Sequence, residues 1–387
     1  MSAEDKGLPH QTDAFTGRSR IRFRLYALFT VLVSLSISIW AAEWLLAWQR
    51  RAIEESDQLQ PGMIIYDARL GWRLKPGWFG FHQHHDFQVD YSINRFGLRG
   101  HAPQPATERR FAVVGDSFTF GQGVNEEQTF VYLIGEAERG VEFLNFGVPG
   151  YSTDQQYLLI RDRVRLFKPD VVLLVVYLGN DLFDNQRPFP LQGDHAKPYF
   201  KQQNDGSLVL RNSPVPLLTQ PAAARAESLT ELVLGTSLPQ SSGLVRWLGS
   251  LETTRRLGLF QMQQKLDDTV LEQRFASYLQ LFRSILLLIL ESTGEWQAEL
   301  KLVLLPGQSF VEQPDSLSAG YQDFLRRALL RDFATVEGIQ LFDLASALRE
   351  AWQAGGNRLY HPNEGHLSVA GHQFVAGWLA ERLLISD

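Results

Sequence analysis

The stretch KPDVVLLVVYLGND, residues 168–181, is the most regular strand pattern in the sequence. Its run of valine and leucine is long enough to be buried on both faces, which is typical of a central strand in a parallel sheet. RFAVVGDS (110–117) and VEFLNFG (141–147) predict two more buried strands, and ELKLVLLPG (299–307) and IQLFDL (339–344) predict another two. Helical patterns separate these strands. Such alternation predicts an α/β fold in which helices cover a parallel sheet on both sides.

The composition limits the classes of function. The chain has 387 residues, 44% of them hydrophobic and 21% charged, which is typical of a globular protein with a core. Its net charge of -6 gives no reason to expect nucleic acid as a partner. The absence of cysteine excludes disulfides, thiolate metal sites and a cysteine nucleophile.

An apolar segment near the amino terminus predicts a membrane anchor. Residues 25–42, LYALFTVLVSLSISIWAA, carry no charge, and the arginines of RSRIRFR (18–24) precede them. This pattern predicts a cytoplasmic tail at 1–24, a transmembrane signal anchor at 25–48, and a body on the periplasmic or extracellular side of the cytoplasmic membrane. A cleaved signal peptide, with small residues at Ala41 and Ala42, is the alternative. The anchor is favoured because the apolar run is longer than a usual signal core.

The remaining chain divides into a lead-in and a larger domain. Short alternating strands and glycine turns predict a small β-rich lead-in at 62–109. The strand–helix alternation predicts a catalytic domain at 110–387. It stops between 185 and 265, where we expect an insertion that shapes a cleft or acts as a lid. LFRSILLLIL (281–290) is too short between its charged neighbours to span a membrane and is predicted to be a core helix.

Four clusters of polar residues follow predicted strands. They are Gly115-Asp116-Ser117, NFGVPGYST (145–153), Gly179-Asn180-Asp181 and HPNEGHLSVAGH (361–372). Each alone is an ordinary turn sequence. Ligands of parallel sheets bind beyond the carboxyl ends of the strands, so the four clusters together predict a site there.

These clusters contain the groups that acyl transfer requires. Ser117 is the candidate nucleophile, and His366 is the candidate base that takes its proton. The backbone N–H groups of Ser117 and Gly150 and the side-chain amide of Asn180 are candidate donors to the oxyanion of a tetrahedral intermediate.

The set resembles the SGNH/GDSL hydrolase superfamily, whose four blocks carry Ser, Gly, Asn and His. GDSFTFG (115–121) is similar to the first block, the spacing from Asn145 to Gly150 to the second, and Gly179-Asn180-Asp181 to the third. The resemblance covers roughly residues 110–385. It implies a flavodoxin-like three-layer α/β/α sandwich and esterase, lipase or carbohydrate O-acyl chemistry.

The fourth block departs from the pattern of the family. The family places Asp three residues before the histidine, and this chain has Asn363 there. Membrane-anchored members that act on polysaccharide acetylation often use an Asp two residues before it, and that position is Glu364. We therefore expect Glu364 to orient His366, with a Ser–His dyad as the alternative. Asp116 and Asp181 are expected to support the site by fixing their loops.

His82, His84 and His85 raise the possibility of a metal site, but no further ligand is obviously placed to complete it, so a solvated strand is the favoured interpretation. We expect no cofactor and no metal.

Three functions remain open at this stage. The first is a membrane-anchored serine esterase that removes O-acetyl groups from a glycan or exopolysaccharide. The second is an O-acetyltransferase of an exopolysaccharide or cell-wall glycan that uses the same site. The third is a non-catalytic glycan-binding or assembly protein. The expected partners are an acylated glycan or other ester substrate, the membrane through the N-terminal helix, and proteins of a polysaccharide pathway.

Overall fold

Five parallel strands form the central sheet in a computed structural model, which describes residues 17–191, 195–217, 233, 268–333 and 335–384. The strands, in chain order, are β1 (Gln58–Leu59), β2 (Ile64–Asp67), β3 (Gly71–Leu74), β4 (Phe79–His84), β5 (Phe87–Ser92), β6 (Arg109–Gly115), β7 (Val141–Gly147), β8 (Val171–Tyr177), β9 (Tyr199–Gln202), β10 (Leu208–Arg211), β11 (Glu299–Leu305) and β12 (Ile339–Phe342). The helices are α1 (Gly17–Glu55), α2 (Ser117–Phe120), α3 (Phe130–Gly135), α4 (Thr153–Asp162), α5 (Asp181–Asp184), α6 (Asp268–Gly294), α7 (Gln308–Glu312), α8 (Leu317–Phe333), α9 (Leu344–Gln353) and α10 (Val369–Leu383).

The order of the strands confirms the predicted fold class. Across the sheet the order is β7-β6-β8-β11-β12, which is 2-1-3-4-5 in the order of the chain. This is the doubly wound order of flavodoxin-like folds. In the central strand β8, every residue from Val171 to Val176 is buried, as its continuous apolar sequence predicts. Helices flank the sheet: α4 packs against α6, and α3 packs against α10.

The β-rich lead-in consists of two small antiparallel sheets. β1, β4 and β5 form one of them, and the hairpin of β2 and β3 forms the other. Its first strand begins at Gln58, a few residues before the predicted start at 62. Arg99 then forms bridges both to Ile93 of the lead-in and to Asn145 of β7, so the lead-in continues into the edge of the central sheet.

The N-terminal helix α1 has the length and exposure of a membrane-spanning segment. It has 39 residues, about 58 Å at 1.5 Å per residue, which exceeds the roughly 30 Å of a bilayer core. Its apolar side chains are exposed, including Trp40, Trp44 and Trp48. By length and composition it could cross a membrane or serve as a signal sequence.

Helix α6 is also long and apolar enough to cross a membrane, but nearly half of its apolar segment is buried in the protein. Phe282, Ile285 and Ile289 on this helix are fully buried in the hydrophobic core. The segment 281–290 is therefore a core helix, as predicted.

Part of the predicted insertion at 185–265 is visible as a hairpin. β9 and β10 pair antiparallel around the turn at Asn204-Asp205-Gly206, residues that are typical of hairpin turns. Residues 192–194, 218–232 and 234–265 of the insertion, like the tail at 1–16, lie outside the described residues.

Arg99 joins the lead-in to the loop that follows Ser117. Its buried guanidinium donates to the carbonyl oxygens of Phe120 at 2.9 Å, Gly121 at 2.6 Å and Val124 at 2.6 Å. It also lies 4.5 Å from the ring centroids of both Tyr91 and Phe120. The Gly121 carbonyl also accepts from the Val124 N–H at 3.4 Å, so the carbonyls of Phe120 and Val124 are the ones that depend most on Arg99.

We expect Arg99→Met to lower the free energy of unfolding by about 3 kcal/mol, because methionine keeps much of the apolar stem but removes the donor to the carbonyls of Phe120 and Val124. Urea unfolding of the full chain in detergent measures this change. Arg95→Met, at an exposed position of the same segment, is the control and should change stability by less than about 0.5 kcal/mol. Equal losses in the two variants would contradict the role of Arg99.

Candidate active site

Ser117 lies at the carboxyl end of β6, where it is the first residue of the short helix α2. A Cβ added at Gly115 would lie 2.1 Å from Thr119 Oγ1, and one added at Gly147 would lie 2.1 Å from the backbone N of Phe120. The strand ends and the serine turn can approach so closely only because both positions are glycine. Asp116 caps α2, since its Oδ1 accepts a hydrogen bond from the Phe118 N–H at 2.9 Å.

Ser117, His366 and Glu364 form a continuous hydrogen-bonded chain. Ser117 Oγ lies 2.6 Å from His366 Nε2, and His366 Nδ1 lies 2.7 Å from Glu364 Oε1. Glu364 Oε2 also accepts a hydrogen bond from the His366 N–H at 3.0 Å, so both carboxylate oxygens contact the histidine. Gln122 Nε2 donates to Glu364 Oε1 at 2.7 Å and limits the freedom of the carboxylate further.

The charges of this chain stabilise one another. Burial by itself would raise the pKa of Glu364, but the charge on His366 and the hydrogen bonds from His366 and Gln122 lower it to about 2. Burial would likewise lower the pKa of His366, but the Glu364 carboxylate, with a smaller contribution from Asp116, raises it above its usual 6.5. Glu364 is therefore ionised at neutral pH and favours the imidazolium form of His366.

Asn363, at the position where the resemblance implies an aspartate, does not contact His366 in the described structure. Its side-chain amide donates to Asp86 Oδ1 at 2.6 Å, and its backbone N–H donates to Asp86 Oδ2 at 2.8 Å. The Glu364 N–H donates to the same Asp86 oxygen at 3.0 Å. Asn363 thus ties the turn to the lead-in, and the next residue places the carboxylate beside the histidine.

The three candidate oxyanion donors line one cavity with Ser117. Among the described residues, the N–H groups of Ser117 and Gly150 have no hydrogen-bond partner. Asn180 Nδ2 donates to Asp184 Oδ2 at 2.8 Å, which uses one of its two amide hydrogens. One amide hydrogen and two backbone N–H groups are therefore left for an oxygen atom in the cavity.

The buried side chains of Asp181 and Asp184 stabilise the turn that contains Asn180. Asp181 Oδ2 accepts from the Tyr177 N–H at 3.1 Å, and Asp184 Oδ1 accepts from the Leu191 N–H at 2.8 Å. Burial raises the pKa of Asp184 to about 6 and that of Asp181 well above its usual range. Burial also raises the pKa of Asp116, to about 6, against the opposing hydrogen bond from the Phe118 N–H. Asp116 and Asp181 each brace a turn of the site, the position expected for supporting residues.

The cavity above Ser117 has a volume of about 530 Å³. Polar and apolar side chains line it together: Ile64, Trp72, Asp116, Ser117, Phe118, Gln122, Pro149, Gly150, Tyr177, Asn180, Pro190, His195, Gly307, Gln308, Ser309, Glu364, Gly365 and His366. Residues of all four sequence clusters therefore meet in one cavity, together with Ile64 and Trp72 from the lead-in.

His82 and His84 of the lead-in hydrogen-bond to protein groups, and His84 Nδ1 accepts from the Asp86 N–H at 3.2 Å. His82 Nε2 lies 2.7 Å from Asp57 Oδ1, and His82 Nδ1 lies 2.9 Å from the Tyr91 hydroxyl, which accepts from the Gly123 N–H at 2.8 Å. Within the described part of the chain, no group of three or more His, Asp or Glu residues is arranged to hold a metal ion.

Two other histidines lie near the fourth cluster but outside the chain of Ser117. His372 Nδ1 accepts from the Phe130 N–H at 3.2 Å, and burial lowers its pKa to about 3. His361 lies with its ring centroid 5.0 Å from that of Phe87, and burial lowers its pKa as well.

Sequence reasoning missed Gln122, Asp86 and Trp72. Gln122 lies five residues after Ser117 in the same glycine-rich stretch, so the neighbourhood of the serine could have indicated it. The sequence could not indicate Asp86, because its partner Asn363 is 277 residues away and no local pattern reveals such a contact.

Comparisons with known proteins give only distant similarities. No family model matches the chain, and the search of curated proteins finds no match either. Among solved structures, the chain is similar to a protein described as a lipolytic member of the G-D-S-L family from Desulfitobacterium hafniense DCB-2, with 15% identity over 71% of this chain and 100% of that chain and a TM-score of 0.39.

It is also similar to a lipase/acylhydrolase from Enterococcus faecalis, with 13% identity over 71% of this chain and 95% of that chain and a TM-score of 0.38. A catalytic mutant of an acetylxylan esterase from Geobacillus stearothermophilus shows 12% identity over 74% of this chain and 98% of that chain, with a TM-score of 0.38.

We expect Glu364→Gln to lower the kcat for ester hydrolysis by about 10²- to 10⁴-fold, because the amide cannot stabilise the imidazolium as a carboxylate does. The base must be neutral to accept a proton, so activity is lost as the pH falls through the pKa of His366. Removing the carboxylate lowers that pKa, and the acidic limb of the pH–rate profile should move to lower pH. Steady-state rates from pH 4 to 9 measure both effects.

Glu337→Gln, at an exposed position just before β12, is the matched control and should change neither kcat nor the pH–rate profile. A Glu364→Gln variant with the parent's rate and profile would show that Ser117 and His366 act as a dyad.

Proposed function

We propose that this chain is a serine esterase of the SGNH/GDSL type that cleaves acyl esters through an acyl-enzyme on Ser117. The observation that carries the proposal is the hydrogen-bonded chain from Ser117 Oγ through His366 to Glu364, with distances of 2.6 and 2.7 Å. Because the serine end of this chain lines a cavity, an ester can approach it. A non-catalytic binding role gives no reason for this alignment.

The first half of the reaction forms the acyl-enzyme. Ser117 Oγ attacks the ester carbonyl carbon while its proton passes to His366 Nε2, and the Glu364 carboxylate stabilises the resulting imidazolium. The carbonyl oxygen becomes an oxyanion, to which the Ser117 and Gly150 N–H groups and the Asn180 amide donate. When the tetrahedral intermediate collapses, the bond to the alcohol oxygen breaks and that oxygen takes the proton from His366.

The second half releases the acid. A water molecule gives a proton to His366 Nε2 as its oxygen attacks the acyl carbon on Ser117. Collapse of this second intermediate breaks the bond to Ser117 Oγ, which recovers the proton from His366. Asp116 and Asp181 take no proton in these steps and serve to brace the turns of Ser117 and Asn180.

The proposed substrate is an O-acetylated glycan or exopolysaccharide. The cavity offers the side-chain amides of Gln122 and Gln308 and the hydroxyl of Ser309, groups that can hydrogen-bond to sugar hydroxyls. Its volume of about 530 Å³ lies within the range of small-molecule binding sites.

The proposed location is the outer face of the cytoplasmic membrane, with α1 as a single-pass anchor. Arginines precede the apolar segment, and cytoplasmic flanks of membrane helices are enriched in such charges. An enzyme held at this surface meets polymers there, and proteins of a polysaccharide pathway are its proposed partners. Transfer of the acyl group to a sugar hydroxyl needs the same acyl-enzyme and differs only in the acceptor.

We expect the full chain in detergent to release p-nitrophenol from p-nitrophenyl acetate, and Ser117→Ala to lose this activity by about 10⁴-fold or more. Intact-protein mass spectrometry should detect one acetyl group, or one fluorophosphonate adduct, on the parent and none on the variant. Ser277→Ala, at an exposed position of α6, should behave like the parent.

Adding acetylated and deacetylated oligosaccharides separates the possible acceptors. Release of free acetate from an acetylated oligosaccharide supports the esterase, whereas acetyl transfer to the deacetylated sugar identifies a transferase. A parent that neither hydrolyses the ester nor reacts with the fluorophosphonate would overturn the proposal.

A further inference from the structure

Trp72 of β3 lies against the peptide group that supplies one of the proposed oxyanion donors. Its indole Nε1 donates a hydrogen bond to the carbonyl oxygen of Pro149 at 3.0 Å, and the side chain is buried. The Pro149 carbonyl and the Gly150 N–H belong to the same peptide group. The tryptophan therefore holds the far end of the unit whose N–H lines the cavity.

The geometry of the peptide group means that this contact also fixes the direction of the Gly150 N–H. Ser213–Pro214 is the only cis peptide in the described part of the chain, so the peptide between Pro149 and Gly150 is trans. In a planar trans peptide the C=O and N–H bonds point in opposite directions. A carbonyl that accepts from Trp72 Nε1 thus directs the Gly150 N–H away from that nitrogen, and Trp72, Gly150 and Ser117 all line the same cavity.

The backbone at Gly150 makes this arrangement specific. Its φ is 80°, a conformation that favours glycine, and an added Cβ would lie 3.3 Å from Trp72 Cζ2. The neighbouring Tyr151 hydroxyl donates to the carbonyl oxygen of Trp72 at 2.5 Å. Gln155 Nε2 donates to the carbonyl oxygen of Leu70 at 2.7 Å, which joins the start of α4 to the same hairpin. The β2–β3 hairpin and the oxyanion loop are therefore connected on both sides of Gly150.

A second part of the lead-in holds the carboxylate end of the site. Asp86, between β4 and β5, accepts the backbone N–H groups of Asn363 and Glu364 and the side-chain amide of Asn363. These hydrogen bonds fix the start of the turn. Within this turn the Glu364 side chain contacts His366, two residues later. Asp86 contacts the backbone of this turn, whereas Glu364 makes the contact to the histidine.

We propose that the lead-in positions the active site through two side chains: Trp72 directs the Gly150 N–H at the oxyanion, and Asp86 holds the turn that presents Glu364. This inference rests on the proposed esterase function. Both are positioning residues, because neither touches the reacting atoms. Each acts through a different group, so each has its own kinetic signature.

Trp72→Phe tests the first contact, since it keeps an aromatic ring and removes the indole N–H. We expect its kcat for p-nitrophenyl acetate to fall about tenfold while KM changes by less than about twofold, because the donor acts mainly on the charge that develops in the transition state. Trp78→Phe is the matched control. Trp78 is also buried in the lead-in, but its Nε1 donates to Pro61 within the same region.

Asp86→Asn tests the second contact in a double-mutant cycle with Glu364→Gln. We expect about a tenfold loss of kcat in the parent and almost no further loss in the Glu364→Gln background, because Asp86 acts through that carboxylate. Trp72→Phe should lower kcat about tenfold in both backgrounds. Asp90→Asn, on an exposed position of β5, is the control for the charge change.

All rates are measured on the full chain in detergent and divided by the fraction of enzyme that a fluorophosphonate labels, so partial unfolding is not counted as loss of kcat. The inference is overturned if Trp72→Phe matches Trp78→Phe, or if Asp86→Asn costs as much in the Glu364→Gln background as in the parent. In either case the parent's activity would leave the proposed function standing. An unreactive parent would overturn the proposed function and the positioning roles with it.

Discussion

The close approach between the serine turn and the ends of β6 and β7 is the constraint on which the site depends. Glycine at 115 leaves room for the Thr119 side chain, and glycine at 147 leaves room for the backbone of Phe120. The parallel sheet brings the ends of several strands to one edge, so Asn180 after β8 and Gly150 after β7 arrive beside Ser117. The chemistry of the site thus follows from a topology that the apolar strands determine.

The ionisable groups of the site fall into two sets, the Glu364–His366 pair and the buried aspartates. On one side, the buried pair of Glu364 and His366 shifts each other's pKa in the directions that keep both charged when paired. On the other, Asp116, Asp181 and Asp184 are buried among backbone donors, and their pKa values are raised. The buried aspartates accept hydrogen bonds from the backbone of their turns. In the proposed reaction, His366 of the pair gains and loses a proton.

Residues that act through local sequence could be predicted, and residues that act across the fold could not. The alternation of apolar strands with helices predicted the parallel sheet, and the resemblance of the fourth cluster to a known family pattern implied Glu364 as the partner of His366. The contacts of Trp72 with Pro149 and of Asp86 with Asn363 depend on how two hairpins pack on the sheet. Strand alternation reports which face of a hairpin is buried but not which loop it meets.

The bridges of Arg99 have a consequence for how segments of such a protein can recombine in evolution. The lead-in pairs with Asn145, donates to the loop after Ser117 and contacts two turns of the site. Recombination between related genes at the apparent domain border near residue 109 would separate partners that must match atom by atom. The unit that evolution can shuffle intact therefore begins before β1, and the hairpins and the sheet are expected to diverge together.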